Sequence, residues 1–248
     1  MPELRFAALL SVVLLANVVE AVTGFGSTII AVTICAHFYP IDFLVPVLVP
    51  ANLVLSGYIV ARHRAHINAR LLFGVILPFV GVGAAGGVYL FNSMGTDRLK
   101  LVFGVFVLAF SLFQFVRTAR MKEGEEPAPL GRLQAGLWLF GGGVMQGMYA
   151  SGGPMVVYYS SRVFKDKGAF RATLSCLWLI VNICMSVSYA LTHKMTPETL
   201  RTSGLILPCI VLGIVIGEAV HKRIPERAFR IVVYALLIVA GAALVSNG

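Results

Sequence analysis

Residues 23 to 27 read Thr23-Gly-Phe-Gly-Ser27, two glycines and two hydroxyls set inside an apolar run that extends from 4 to 36. Glycine disfavours the interior of a helix by about 1 kcal/mol relative to alanine. A helix that only has to cross a bilayer gains nothing from two of them flanking one aromatic residue. The stretch therefore reads as a deliberate break, and whether the chain continues or turns back there decides the fold.

The surroundings are those of a membrane. Of 248 residues 58% are hydrophobic and 12% charged, where a soluble domain carries about 25% charged residues. Apolar runs cover 4–36, 43–61, 70–91, 98–117, 133–161, 169–191, 199–220 and 227–246, most near the ~20 residues of a spanning helix. The expected class is an all-α polytopic membrane protein in the cell membrane. The net charge of +9 is not a nucleic-acid footprint, because Lys and Arg cluster in the short connections, where they set orientation. Cys35, Cys176, Cys184 and Cys209 lie in apolar runs without metal-ligand spacing, so no metal, cofactor or disulfide is expected. The opening Met-Pro-Glu-Leu-Arg is a poor match to a signal peptide and is read as retained.

The chain is also doubled. Gly74 to Gly87 (GVILPFVGVGAAGG) matches Gly204 to Gly217 (GLILPCIVLGIVIG) at an offset of 130, with six identities in fourteen positions. The same offset pairs Asn52 with Asn182, Ser56 with Ser186 and His63 with His193, the mark of an internal duplication. At an offset of 127 the opening stretch falls on Ala150-Ser-Gly-Gly-Pro154. The expected domains are a first repeat, 1–117, a hydrophilic linker, 118–132, and a second repeat, 133–248.

Charge decides what the breaks do. If the runs 4–36 and 133–161 each cross once, the 20 Lys and Arg divide equally between the two sides. If each turns back as a re-entrant hairpin, segments 62–70, 117–132, 162–171 and 221–230 share one side and hold fifteen of the twenty. The positive-inside rule selects the hairpins and makes those four segments cytoplasmic, with both termini opposite. Length agrees, since 29 residues from 133 to 161 would form a helix of about 43 Å against a hydrocarbon core of about 30 Å. Each half then has one hairpin of two half-length arms and three spans, so the halves insert with opposite topology, as in many secondary transporters.

A turn within the bilayer leaves backbone groups that only protein or a watery cavity can satisfy. The second arm of each hairpin starts at the turn, with Pro154 suited to a first helical turn, and its N-terminus offers N–H donors and a positive dipole end to an anion. Candidate binding residues are Thr23, Gly24, Phe25, Gly26, Ser27 and Thr28 at the first tip, and Tyr149, Ser151, Gly152, Gly153 and Pro154 at the second. Asn52 and Asn182 either contact a substrate oxygen or brace a hairpin. The glycines have a competing role in close helix packing. Glu20 and Glu218 are the carboxylates deep in apolar runs; Glu20, beside the first tip, is the candidate for a coupling proton, and Glu218 is read as interfacial. Gln146, Tyr158 and Tyr159 are lesser candidates, and Trp138 and Trp178 are read as packing or interface anchors.

Taken together, the Ala-Val-Thr-Gly-Phe-Gly-Ser turn ending at Ser27, the Tyr-Ala-Ser-Gly-Gly-Pro turn ending at Pro154, the Pro and Gly pattern of the second full span in each half and the charged linker resemble the sulfite exporter TauE/SafE family of membrane permeases. The first turn has fewer glycines than the family's richest versions. The resemblance implies transport, often export, of sulfite, sulfoacetate and related anions. The expected partners are a small sulfur-containing anion and the lipid bilayer, with no nucleic acid; a homodimer is compatible with the sequence. Two other functions compete: a non-transporting scaffold, and an intramembrane hydrolase with Ser151 as nucleophile. The hydrolase needs a base, and His37, His63, His66, His193 and His221 all fall at span ends or in loops. No phosphate-binding Gly-x-x-x-x-Gly-Lys motif appears.

Overall fold

The computed structural model describes residues 2–23, 25–120, 130–221 and 226–246, and among these it is helical with no strand. Besides a 3₁₀ turn at Arg64–His66, ten helices follow in order among the described residues: α1 (Pro2–Thr23), α2 (Ser27–Cys35), α3 (Ile41–His63), α4 (Ala69–Ser93, with a π-turn at Leu72–Ile76), α5 (Thr96–Arg120), α6 (Arg132–Tyr149), α7 (Gly153–Val163), α8 (Lys167–Leu191), α9 (Pro197–His221) and α10 (Glu226–Ser246). Six of the described helices are long and apolar enough to cross a membrane. Their outward faces carry Phe73, Val82, Val105, Val187, Val211 and Val215, all exposed, as expected of surfaces solvated by lipid rather than water.

Both breaks fall where the glycines predict, and the chain turns at each. Along an unbroken helix, residues 142 and 156 would stand about 21 Å apart. Instead a Cβ placed on Gly142 would lie 2.9 Å from Val156 Cγ2, so α7 folds back along α6. In the first half α2 packs against α1 in the same way. The arms, however, are not two halves. The first arms run 22 and 18 residues and the second arms 9 and 11, because nothing between residue 4 and the tip interrupts the helical run, while the second arm ends at its own polar stop, Cys35-Ala-His-Phe-Tyr-Pro40 or Arg162-Val-Phe-Lys165.

Packing between the halves is reciprocal. The long arm α1 lies along α9 and the long arm α6 along α4, while α3 meets α8 and α5 meets α10. By the sequence offset α1 corresponds to α6, α4 to α9, α3 to α8 and α5 to α10. Each half thus clasps the hairpin of the other. The residues that allow it are the duplicated glycines. A Cβ on Gly83 or Gly87 would fall 2.3 Å or 2.2 Å from the carbonyl oxygens of Phe140 and Val144, and one on Gly143 or Gly147 would strike the carbonyls of Val80 and Ala84. Their equivalents Gly213 and Gly217 meet Asn17 and Ala21 of α1 at 2.7 Å and 2.4 Å. Where helices are surrounded by lipid, association comes from such backbone approach rather than from expulsion of water.

The zipper predicts a sharp contrast between neighbours. Gly87→Val, which drives a side chain into backbone, is expected to cost about 3 kcal/mol or more and to lower the thermal midpoint of the detergent-solubilised protein by many degrees. Gly86→Ala, at an exposed position with nothing within 4 Å, should leave the midpoint unchanged or raise it slightly. Equal effects of the two substitutions would contradict the close approach of α4 and α6.

Candidate functional site

The two tips meet. A Cβ on Gly153, at the start of α7, would sit 3.5 Å from Phe25 Cβ of the first tip. Around this contact lies a small, partly open cavity of about 30 Å³, bordered by Glu20, Phe25, Gly26, Thr28 and Ile29 from the first hairpin. Gln146, Ala150, Ser151, Gly153 and Pro154 border it from the second, and Asn52, Ser56, Trp178 and Asn182 come from α3 and α8. Residues 20 to 182 are thus brought to one place by the reciprocal packing of the halves.

At the first tip Gly26 caps α2 with φ 107°, ψ −1°, a left-handed conformation that a Cβ strains. Its turn sends the chain back so that the N–H of Ser27 donates to Glu20 Oε2 at 2.8 Å. Thr28, one residue further, accepts through Oγ1 from Asn52 Nδ2 at 2.8 Å. At the second tip Ala150 takes the left-handed position with φ 51°. Gly152 then donates its N–H to Gln146 Oε1 at 3.1 Å, and Gln146 Nε2 donates to Asn182 Oδ1 at 2.9 Å. The design is the same twice: a side chain from the last turns of the long arm caps the short arm, and an asparagine from α3 or α8 ties down the tip. Of the two roles open to Asn52 and Asn182 in the sequence, bracing is the one visible in these bonds, and both side chains also border the cavity.

The donors at the helix starts are therefore partly taken. Ser27 and Gly152 already have partners within their own hairpins. The N–H groups of Thr28, Ile29, Gly153 and Met155 belong to first helical turns, which have no intrahelical acceptor, and three of those four residues border the cavity. Two positive helix ends consequently face one buried space. Among its bordering residues the one ionisable carboxylate is Glu20, and the described cation whose field reaches Glu20 is Arg171, near the start of α8.

Other positions divide according to packing. Phe25, Gly26, Thr28, Ser151, Gly153 and Pro154 gather at the cavity. Ser27 contributes its N–H to the turn, and its side chain is buried. Gly152 is a packing glycine, since a Cβ there would collide with Gly142 O at 1.9 Å. Tyr149 is turned away from the cavity: its hydroxyl donates to Leu99 O at 2.9 Å and its ring rests on Phe103, so it anchors the hairpin to α5. Tyr158 packs at a tilt against Trp138 beneath Arg117 and Arg162, also away from the tips. Gly24 and the side chains of Thr23 and Glu218 lie outside the described residues, as do 121–129 of the linker and 222–225.

Three contributors carried little weight in the sequence. Gln146 was legible only as a polar residue close before the second tip, six residues ahead of Gly152, much as Glu20 stands seven ahead of Ser27. Ser56 was legible through its pairing with Ser186 at the repeat offset. Trp178 was assigned to packing or an interface, but it stands four residues before Asn182 on the same face of α8 and borders the cavity.

Comparison with known proteins places these features in a family. The model of the sulfite exporter TauE/SafE family matches residues 9–244. The chain is 26% identical, over 205 residues that make up 80% of each sequence, to the probable inner membrane transporter protein TsaS of Comamonas testosteroni. No solved structure matches it significantly.

The two left-handed positions make opposite predictions. Gly26→Ala places a Cβ at φ 107° and should destabilise by about 1–2 kcal/mol even though only Ile29 stands within 4 Å. Ala150→Gly relieves the same kind of strain and should be neutral or stabilising by up to about 1 kcal/mol. Thermal unfolding in detergent measures both, and a stable Gly26→Ala protein would exclude the left-handed turn.

Proposed function

Because the chain belongs to the sulfite exporter TauE/SafE family, we propose that this multi-pass membrane transporter carries sulfite or small organosulfonates such as sulfoacetate, as an exporter driven without ATP. The observation that carries the reading is the convergence of two helix N-termini, one from each half, on a single buried polar cavity. A sulfite or sulfonate group is compact, anionic and rich in acceptors. It suits N–H donors of Thr28, Ile29 and Gly153 and the amides of Asn52 and Asn182, and helix dipoles favour its charge.

The halves, in this proposal, are inverted repeats that rock about the tips to open the cavity to one side and then the other. The reciprocal clasp of α1 on α9 and α6 on α4 supports a two-fold relation, and the excess of positive charge on four connections supports the inversion. Glu20 is the proposed coupling group. Its carboxylate holds the N–H of Ser27 at 2.8 Å, beside the space proposed for the substrate, so protonating it removes a like charge from the anion's path. Family members are transporters rather than enzymes, and Ser151 Oγ donates to Tyr149 O at 3.0 Å, an arrangement that gives a nucleophile no base.

Purified protein in liposomes should take up labelled sulfite or sulfoacetate, and Asn182→Ala and Asn52→Ala should each lower the rate tenfold or more while the protein stays folded. Unchanged rates in both variants would remove the tips from the site. Glu20→Gln is expected to leave transport down a substrate gradient but to abolish its response to a pH gradient; an unaltered response excludes Glu20 as the coupling group. Reporter fusions after residues 125 and 165 should report the same side of the membrane, and opposite sides would overturn the inverted arrangement.

A further inference from the structure

A second polar feature lies at the far end of α7 from the tip. Arg117 of α5 and Arg162 of α7 both rest on the ring of Tyr158, their guanidinium carbons 4.6 Å and 3.7 Å from its centroid. Trp138 of α6 packs against the same ring at 4.4 Å, and Phe113 of α5 closes the group at 5.7 Å from Tyr158. Hydrogen bonds hold both arginines in place. Arg117 Nη1 donates to Gln114 Oε1 at 3.4 Å, Gln114 Nε2 donates to the Tyr234 hydroxyl of α10 at 3.5 Å, and Arg162 Nη1 donates to the carbonyl of Tyr158.

Each arginine gains from the aromatic face, but two like charges gathered on one ring repel one another. An anion between them turns that repulsion into shared attraction, and the planar guanidinium fork matches phosphate oxygens. Depth indicates where such an anion would come from. Arg98 and Arg117 of α5 stand about 28 Å apart along the helix, close to the ~30 Å thickness of the hydrocarbon core. Arg117 therefore lies where hydrocarbon gives way to headgroups, the zone that Trp and Tyr side chains favour. Val116, Leu137 and Val163, the chain neighbours of Arg117, Trp138 and Arg162, are exposed and offer an apolar surface beside the two charges.

We propose that Arg117 and Arg162 form a binding site for the phosphate of an anionic phospholipid, whose acyl chains lie over Phe113, Val116 and Val163. The chemistry recognised is a phosphate oxyanion, and the depth and the apolar flanks select a lipid over free phosphate. Arg117 belongs to the first half of the chain, and Arg162 to the second, on the short arm that begins at the second tip. A bound headgroup therefore ties the halves together on this face and steadies α7. The site is separate from the cavity at the tips and does not depend on which anion that cavity receives.

Tryptophan fluorescence reads the site directly. The chain has two tryptophans: Trp138 is part of the cluster, while Trp178 is 7% exposed and borders the tip cavity, so it serves as an internal reference. With the full chain in mixed bilayers, brominated phosphatidylglycerol is expected to quench Trp138 as though enriched about tenfold or more over brominated phosphatidylcholine, at about fivefold per arginine. Arg117→Met and Arg162→Met, which keep an unbranched apolar stem and remove the charge, should each lower the enrichment about fivefold. Arg132→Gln, at an exposed position opening α6, should leave it unchanged, and millimolar glycerol phosphate should not displace the lipid. Equal quenching by the two lipids in the unsubstituted chain overturns the proposal, as it would if linker residues Glu123, Glu125 and Glu126 occupied the arginines. Equal losses in all three variants overturn it too, because they indicate a diffuse surface potential rather than a site. Displacement by glycerol phosphate overturns the choice of lipid and assigns the pair to soluble phosphates.

Discussion

A chain that breaks its helix inside a protein must find partners for the backbone groups it exposes, and the rest of this structure is organised around how that is done. The N–H groups at the start of each short arm cannot bond within their own helix. In both hairpins the preceding long arm reaches forward to cap the first of them, with Glu20 on Ser27 and Gln146 on Gly152. The cap fixes the direction in which the chain returns. Asn52 and Asn182, from helices outside the hairpins, then hold Thr28 and Gln146, so each tip is tied to its own repeat. Of the remaining first-turn N–H groups, those of Thr28, Ile29 and Gly153 belong to residues that border the space where the tips meet.

Two such tips can meet only if the long arms approach other helices closely. That is the role of Gly83, Gly87, Gly143 and Gly147 on one side and of Gly213 and Gly217 on the other, where a methyl group would collide with backbone or with a Cβ. Close backbone approach also gives the hairpins a rigid outer support. A rigid support matters for recognition because donors already in place need no reorganisation when a charged group arrives.

The two caps are not chemically equal. Gln146 is neutral at any pH, and its amide both accepts from Gly152 and donates to Asn182. Glu20 can carry a charge, and inside an apolar bundle a charge is costly unless it is paired or has a task. Arg171 supplies an opposing field. In the proposed transport cycle this asymmetry separates the labour: the second tip is a constant element of the site, and the first responds to protons.

Much of this was written in the residues themselves. Apolar runs separated by basic connections determined a helical membrane protein, because length and hydropathy are local properties. Thr23-Gly-Phe-Gly-Ser27 and Ala150-Ser-Gly-Gly-Pro154 determined where the helices break, and the offset of 130 paired Gly83 and Gly87 with Gly213 and Gly217, all of which sit at close helix contacts. Tertiary structure alone decided which glycine does what, since the same residue type serves a left-handed turn at Gly26, backbone contact at Gly152 and contact between tips at Gly153. It decided that Tyr149 anchors α5 while Trp178 borders the cavity. It also decided that the arms are long and short rather than equal. These outcomes depend on which helix lies alongside, and in a bundle held by close backbone packing that neighbour often comes from the other half of the chain, from 50 residues away in sequence for Leu99 and Tyr149 to 156 for Val47 and Ser203.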